Sequence, residues 1–229
     1  MAQRKHRAYE NLYPSVTQII GILNNPALNQ WFIKNTPEFV RRESGKGRTI
    51  GTDIHKALEN YILTGQATVE SSYPDEVTMA LHSFIKFRKE RMDIELTWSE
   101  QALTHPRYFY NGTIDCIGKI DGNIIVLDWK SSKCSDKDKP DIYDSYKTQV
   151  AAYVSLYNYN QVTKEDAGTN WCMAENNRKI VEKAIIVSIA KDKVAYNLYE
   201  MNLEEIKDCF NEVFLPALKI WNYQHEKKV

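Results

Sequence analysis

The sequence predicts one α/β domain, helical over its N-terminal portion and built on a mixed β-sheet beyond it, and three observations carry that expectation. Apolar residues recur at helical spacing up to about residue 92 and then switch to strand-like patterning. Asp121-Gly122 sits between two apolar runs, and a type I′ hairpin turn needs residues that accept positive φ at both central positions. A long amphipathic helix, with Ile206, Phe210, Val213, Phe214, Ala217 and Trp221 on one face, closes the chain. Residues 1–229 are accordingly read as one domain, with 1–92 mainly helical and 93–229 forming the α/β core.

The elements follow in order. Ser15 and Gln18 form a capping-box pattern that opens a short helix ending near Leu23. Asn25-Pro26 and Thr36-Pro37 each read as a cap followed by a first helical residue. The stretch from Arg41 to Arg48 is basic, carries two glycines, and reads as flexible. A helix then runs from about Gly51 to Leu63, burying Ile54, Leu58, Tyr61 and Ile62. Another, from about Asp75 to Met92, buries Val77, Leu81, Phe84 and Ile85. Strands are expected at 94–104, 108–120 and 123–130, a helix at about 143–159, and a polar stretch at 162–180. A hairpin pairs 183–190 with 194–200 around Lys191-Asp192, and the last helix spans about 203–223.

Composition excludes several classes. With 229 residues and a 43% hydrophobic share, the chain can bury a sizeable core and is not disordered. Thirty basic residues balance thirty acidic ones, so any nucleic-acid binding must come from local clusters. Cys116, Cys134, Cys172 and Cys209 lie far apart without C-x-x-C spacing, which argues against a zinc knuckle or a disulfide framework. No apolar run approaches the ~20 residues that span a bilayer. Arg4, Lys5 and Arg7 are followed by no apolar segment of a secretory signal, so a cytoplasmic location is expected.

The most informative stretch is the hairpin from Asn111 to Lys130. A loop centred on Asp121-Gly122 sets Asp115 opposite Asp128 and Thr113 opposite Lys130. Opposed side chains have Cβ atoms ~4.5–5.5 Å apart, and like charges there repel. Apolar residues on both faces of the hairpin make the repulsion worse, and a bound cation relieves it. Lys130 projects from the same face two residues on, so two acids and an amine converge as for a metal ion and a phosphate. The same residues also read as strand-end carboxylates in solvent with Lys130 as an ion-pair partner.

Other residues join this group with less independent force. Gln149 and Tyr153 share a helix face, at the edge of the side marked by Tyr146, Val150 and Tyr157. His55 flanks the apolar face of its helix and reads either as a nitrogen ligand or as a surface residue. Glu100 shares a strand face with Leu96 and Trp98, which makes it a further ligand if that face points inward. His82 and His105 read as structural. Arg41, Arg42, Lys46 and Arg48 suit a phosphate backbone, with Trp31, Phe32 and Phe39 close by for stacking on bases; a solvated basic face over core aromatics fits equally well.

The order His55, Asp115, Asp128-Trp129-Lys130 and Gln149-x-x-x-Tyr153 resembles the RecB-like branch of the PD-(D/E)xK nuclease superfamily. Pro14-Ser15-Val16-Thr17 and Gly51-Thr52-Asp53-Ile54-His55 resemble exonucleases of that branch from mitochondria, phages and bacteria. The resemblance covers about residues 13–160; Ile114 stands where the superfamily name has proline. It implies a restriction-endonuclease-like core and a metal-dependent DNA exonuclease acting in replication, recombination or repair; separately, Glu10 arrives early for a transit peptide, so a bacterial or phage origin is expected over an organelle-targeted one. An endonuclease or flap nuclease, and a non-catalytic nucleic-acid-binding protein of the same fold, are the alternatives. The implied cofactor is Mg²⁺ or Mn²⁺, held by His55, Asp115, Asp128, the main-chain carbonyl of Trp129, and Glu100 as an additional ligand. Lys130 would act on the attacking water or on the charge building at phosphate, with Gln149 and Tyr153 positioning it. Arg41, Arg42, Lys46, Arg48, Ser131, Gln149 and Tyr153 would contact DNA, single-stranded or with free ends. The cysteines lack the spacing of iron–sulfur members, so no cluster is expected; nothing points to a membrane, and protein partners are not legible.

Overall fold

Ser15 opens the first helix, α1 (Val16–Ile20), through the capping box: its Oγ accepts the Gln18 N–H, and the Gln18 side chain accepts the Ser15 N–H at 2.8 Å. The structure, a computed structural model, describes residues 13–23, 26–69, 72–105, 107–135, 137–161 and 180–225. Pro26 begins α2 (Pro26–Lys34); its expected cap, Asn25, lies outside the described residues. Thr36 caps α3 (Pro37–Thr64), which ends at Gly65 with φ 71°. Helix α4 spans Asp75–Glu90.

The expected flexible segment from Arg41 to Arg48 is instead part of α3, which runs unbroken for 28 residues. Each interior glycine costs a helix about 1 kcal/mol relative to alanine but does not break it. The Thr36 cap, Pro37 at the first turn, and the buried stripe Ile50, Ile54, Ala57 and Leu58 outweigh that cost.

Five strands follow: β1 (Glu95–His105), β2 (Tyr110–Ile120), β3 (Asn123–Ser132), β4 (Lys183–Ala190) and β5 (Tyr196–Met201). They lie in that order in one sheet, with β3 and β4 parallel and the other neighbours antiparallel. The parallel pair requires a crossover, and α5 (Asp144–Gln161) lies within it. The polar stretch 162–180 falls almost wholly outside the described residues. Asp121 and Gly122, with φ 50° and 76°, make the primed turn between β2 and β3.

Side chains alternate across the sheet, and both faces are covered. On one face Val126, Ala184, Ile186 and Met201 pack with Val150 and Val154 of α5, Val16 and Ile19 of α1, and Phe210 and Phe214. On the other, Ile125, Leu127, Trp129, Ile185 and Val187 pack with Ile54 and Leu58 of α3 and Leu81, Phe84 and Phe87 of α4. The closing helix has three parts: α6 (Leu203–Asp208), a π-helical segment (Cys209–Phe214) and α7 (Leu215–His225). The wider π turn brings Phe210 and Phe214 nearly in line, their rings stacked at 5.6 Å, and turns Val213 outward, against expectation. His105 is structural, buried among Tyr108, Tyr110 and Tyr159, and burial pushes it down to about 3.

Candidate metal centre and its cavity

The β2–β3 ladder runs from Ile120↔Asn123 to Cys116↔Leu127 and ends there, while β3 continues against β4 as far as Ser132↔Ala190. Asp115 and Asp128 are the next residues along the expected register. Where a further main-chain rung would form, Asp115 Oδ2 accepts the Trp129 N–H at 2.9 Å. The two strands therefore part at the acids, and the expected Thr113–Lys130 pairing does not form; Thr113 pairs with Ala102 of β1 instead. Trp129 anchors this point of β3, with Phe84 and Phe87 edge-on to its indole at 5.2 and 5.9 Å.

Asp128 is fully buried and Asp115 is 8% exposed. Lys130 Nζ lies 2.5 Å from Asp128 Oδ2, an ion pair out of hydrogen-bond alignment, so both Asp128 oxygens lack a hydrogen-bond donor among the described residues. Burial first, and then the Asp128 charge, hold the Asp115 carboxyl well above the usual carboxylate range. His55 Nδ1 is 3.7 Å from Asp115 Oδ1 and 3.9 Å from Glu100 Oε1. Burial would lower the His55 pKa, but Glu100 and Asp115 together hold it above its ordinary value.

Glu100 turns toward His55 and Asp115 while its side chain stays 37% exposed. Its φ is 54°, a left-handed conformation inside a strand, and such a residue costs of order 1–3 kcal/mol. The ligand atoms of His55, Glu100 and Asp115 all lie within 4.8 Å of one another. An imidazole and two carboxylates at that spacing, near the Asp128 carboxylate that Lys130 pairs with, fit a divalent cation.

Gln149 and Tyr153 also come to this place, as expected from their shared face. Gln149 Nε2 donates to the Tyr153 hydroxyl at 2.8 Å, and no hydrogen bond joins Gln149 to Lys130 among the described residues. Lys130 Nζ lies 5.4 Å over the Tyr146 ring, a cation–π contact that the sequence reading assigned only to packing. Gly112 is the residue that reading missed. A Cβ there would stand 2.7 Å from Leu156 Cδ1 and 2.9 Å from Tyr153 Cε1, so only glycine lets Tyr153 lie against β2. Gly112→Ala is expected to cost about 1–3 kcal/mol through overpacking and to displace Tyr153. Urea unfolding of the variant checks this, and an unchanged midpoint would show that the neighbours yield freely.

These residues border a cavity of about 600 Å³, whose walls include Ser15, Thr17, Arg48, Thr52, Thr113 and Lys130. Of the four basic candidates on α3, Arg48 lines it; Arg41 and Lys46 are exposed elsewhere, and Arg42 pairs with Glu43 and stacks over Phe39. Ser131 is not brought to the cavity: alternation along β3 turns it to the opposite face from Lys130.

Two buried acids at the end of the β2–β3 ladder, with a lysine and a histidine beside them, offer a site for a divalent cation and an anionic group. The family model of the PD-(D/E)XK nuclease superfamily matches residues 28–222, and the chain belongs to that superfamily. It is similar to mitochondrial genome maintenance exonuclease 1 of Mus musculus, 28% identical over 161 residues, covering 66% of this chain and 46% of the mouse protein. The Homo sapiens protein of that name is 30% identical over 120 residues, 48% of this chain and 31% of its own length. The chain thus spans less than half the length of these relatives. Among solved structures it is similar to SSO0001 (19% identity, TM-score 0.35, 78% and 74% of the two chains) and to the alkaline exonuclease LHK-Exo from Laribacter hongkongensis (14%, 0.36, 76% and 82%).

Proposed function

We propose that the chain is a single-domain, Mg²⁺- or Mn²⁺-dependent deoxyribonuclease that hydrolyses phosphodiester bonds from DNA ends, in replication, recombination or repair. The observation that carries this reading is the convergence of Asp115, Lys130 and His55 on one cavity, with the buried Asp128 directly behind Lys130. Asp115, Asp128, His55 and Glu100 would hold the cation, with the Trp129 carbonyl as a further ligand. When bound, a divalent cation supplies charge for the phosphate oxygens and eases deprotonation of water.

The chain's own groups do the rest. Lys130, held by Asp128 and the Tyr146 ring, orients a water or donates to a non-bridging phosphate oxygen as charge builds there. The water oxygen bonds to phosphorus, the ester P–O bond breaks, and a proton ends on the leaving oxygen. Gln149 and Tyr153 support the wall beside Lys130, and Arg48 offers a cation to the DNA backbone.

Among the described residues no helix is long and apolar enough to cross a membrane. Preference for ends is supported by relatives named as exonucleases. Digestion of linear and circular DNA, single- and double-stranded, with magnesium is the test. Loss of linear forms with circles intact is expected; cutting of circles would favour an endonuclease, and no cutting a non-catalytic binder.

A further inference from the structure

The chain before α1 is tied to β2 beside the acids. The Asn111 N–H donates to the Pro14 carbonyl at 2.8 Å, Asn111 Nδ2 donates to the Tyr13 carbonyl at 3.1 Å, and Ser15 forms a parallel bridge with Asn111. Val16 and Ile19, both fully buried, lock the segment into the core. The consequence is that Ser15 and Thr17 line the cavity beside Thr113. Val16 turns inward and Thr17 outward, so the exposed hydroxyl stands on a rigid support.

Thr113 lies two residues before Asp115 on β2, and both line the cavity. At the rise of a strand their main-chain positions are about 7 Å apart, close to the step between successive phosphates of one DNA strand. Ser15, Thr17 and Thr113 each bring a hydroxyl to this cavity. Ser15 Oγ accepts the Gln18 N–H at 3.2 Å and lies 3.0 Å from Thr17 Oγ1. The Thr113 hydroxyl, half-buried, has no hydrogen-bond partner among the described residues. Arg48, on another wall of the same cavity, supplies a positive charge. Hydroxyls and an arginine are a donor set for phosphate oxygens, and they carry no base specificity.

We propose that Ser15, Thr17 and Thr113 form a subsite for the phosphate next to the scissile one, setting the register of the strand against the acids. This rests on the nuclease reading above. These are positioning residues: they hold the strand and take no part in bond cleavage.

The test is Thr17→Val with Thr113→Val, which removes two hydroxyls at nearly constant shape. KM for a short single strand should rise about tenfold for each hydrogen bond lost to a charged group, about a hundredfold for the two together, with kcat unchanged. An oligonucleotide with a methylphosphonate replacing one of the phosphates flanking the scissile bond should impose a similar rise on the parent. At the sensitive position it should add nothing further in the double variant, and serine at both positions should restore the parent's KM. An unchanged KM in the double variant, or a methylphosphonate penalty that persists there in full, overturns the subsite while leaving a cutting parent as a nuclease. A parent that neither cuts nor binds DNA overturns the nuclease reading, and the subsite with it.

Discussion

Lys130→Ala should lower the cleavage rate at saturating DNA and magnesium by about a thousandfold, the scale of losing one preorganised donor to transition-state charge. DNA affinity in calcium should change little, because Lys130 is 15% exposed and its nearest charge is Asp128 rather than the open cavity. The variant also leaves Asp128 fully buried without its ammonium, and stranding one member of a buried pair costs roughly 3–5 kcal/mol. The metal-free variant should therefore melt below the parent, and magnesium should recover part of the loss. Single-turnover rates beside melting curves separate the two effects. Turnover near that of the parent would remove Lys130 from the chemistry.

Magnesium should raise the parent's melting temperature, since it binds the folded site and not the unfolded chain. At a hundred times its Kd the gain is about 2.7 kcal/mol, or roughly 5–11 °C for a chain of this size. Asp115→Asn should abolish that response and cleavage together. Without metal the same variant should be no less stable than the parent. Its amide oxygen can still accept the Trp129 N–H, and the charge it removes is one that burial and Asp128 already oppose. Asp128→Asn is the less clean probe, because it deprives Lys130 of its partner. Calcium, larger and looser in geometry, should shift the melting temperature but support little cleavage. An Asp115→Asn protein that keeps the parent's magnesium shift would show that the ion binds elsewhere.

What could be read from residues alone was whatever depends on short-range geometry. Asp121-Gly122 forces a primed turn, and that turn sets the rungs from Ile120↔Asn123 to Cys116↔Leu127, so the nearness of Asp115 and Asp128 followed. The end of the ladder at the acids did not follow, because it depends on a side-chain carboxylate taking the Trp129 N–H. Glu100 was expected inward by strand alternation; it comes beside His55 and Asp115 but stays exposed, and alternation carries no sign of its positive φ. Gly112 matters through Leu156 and Tyr153, more than forty residues away, and a lone glycine in a strand gives only a faint signal of such close approach. The run from Arg41 to Arg48 misled because its glycines and charges resemble a loop, while its helicity is propagated from outside it.

Those glycines also bear on how the cavity responds to load. A Cβ at Gly45, Gly47 or Gly51 would meet nothing within 4 Å, so no packing requires their absence of a side chain. Together they remove roughly 3 kcal/mol of helical preference relative to alanine, and all the buried residues of α3 lie from Ile50 onward. The N-terminal half of α3 is thus compliant, opening locally at far smaller free energy than the sheet. The wall that carries Arg48 inherits that compliance, while the wall that carries Thr113 and Asp115 inherits the stiffness of a sheet covered on both faces. The cavity works like a vice with one fixed jaw and one sprung jaw: its width adjusts to what enters, and the acids keep their places.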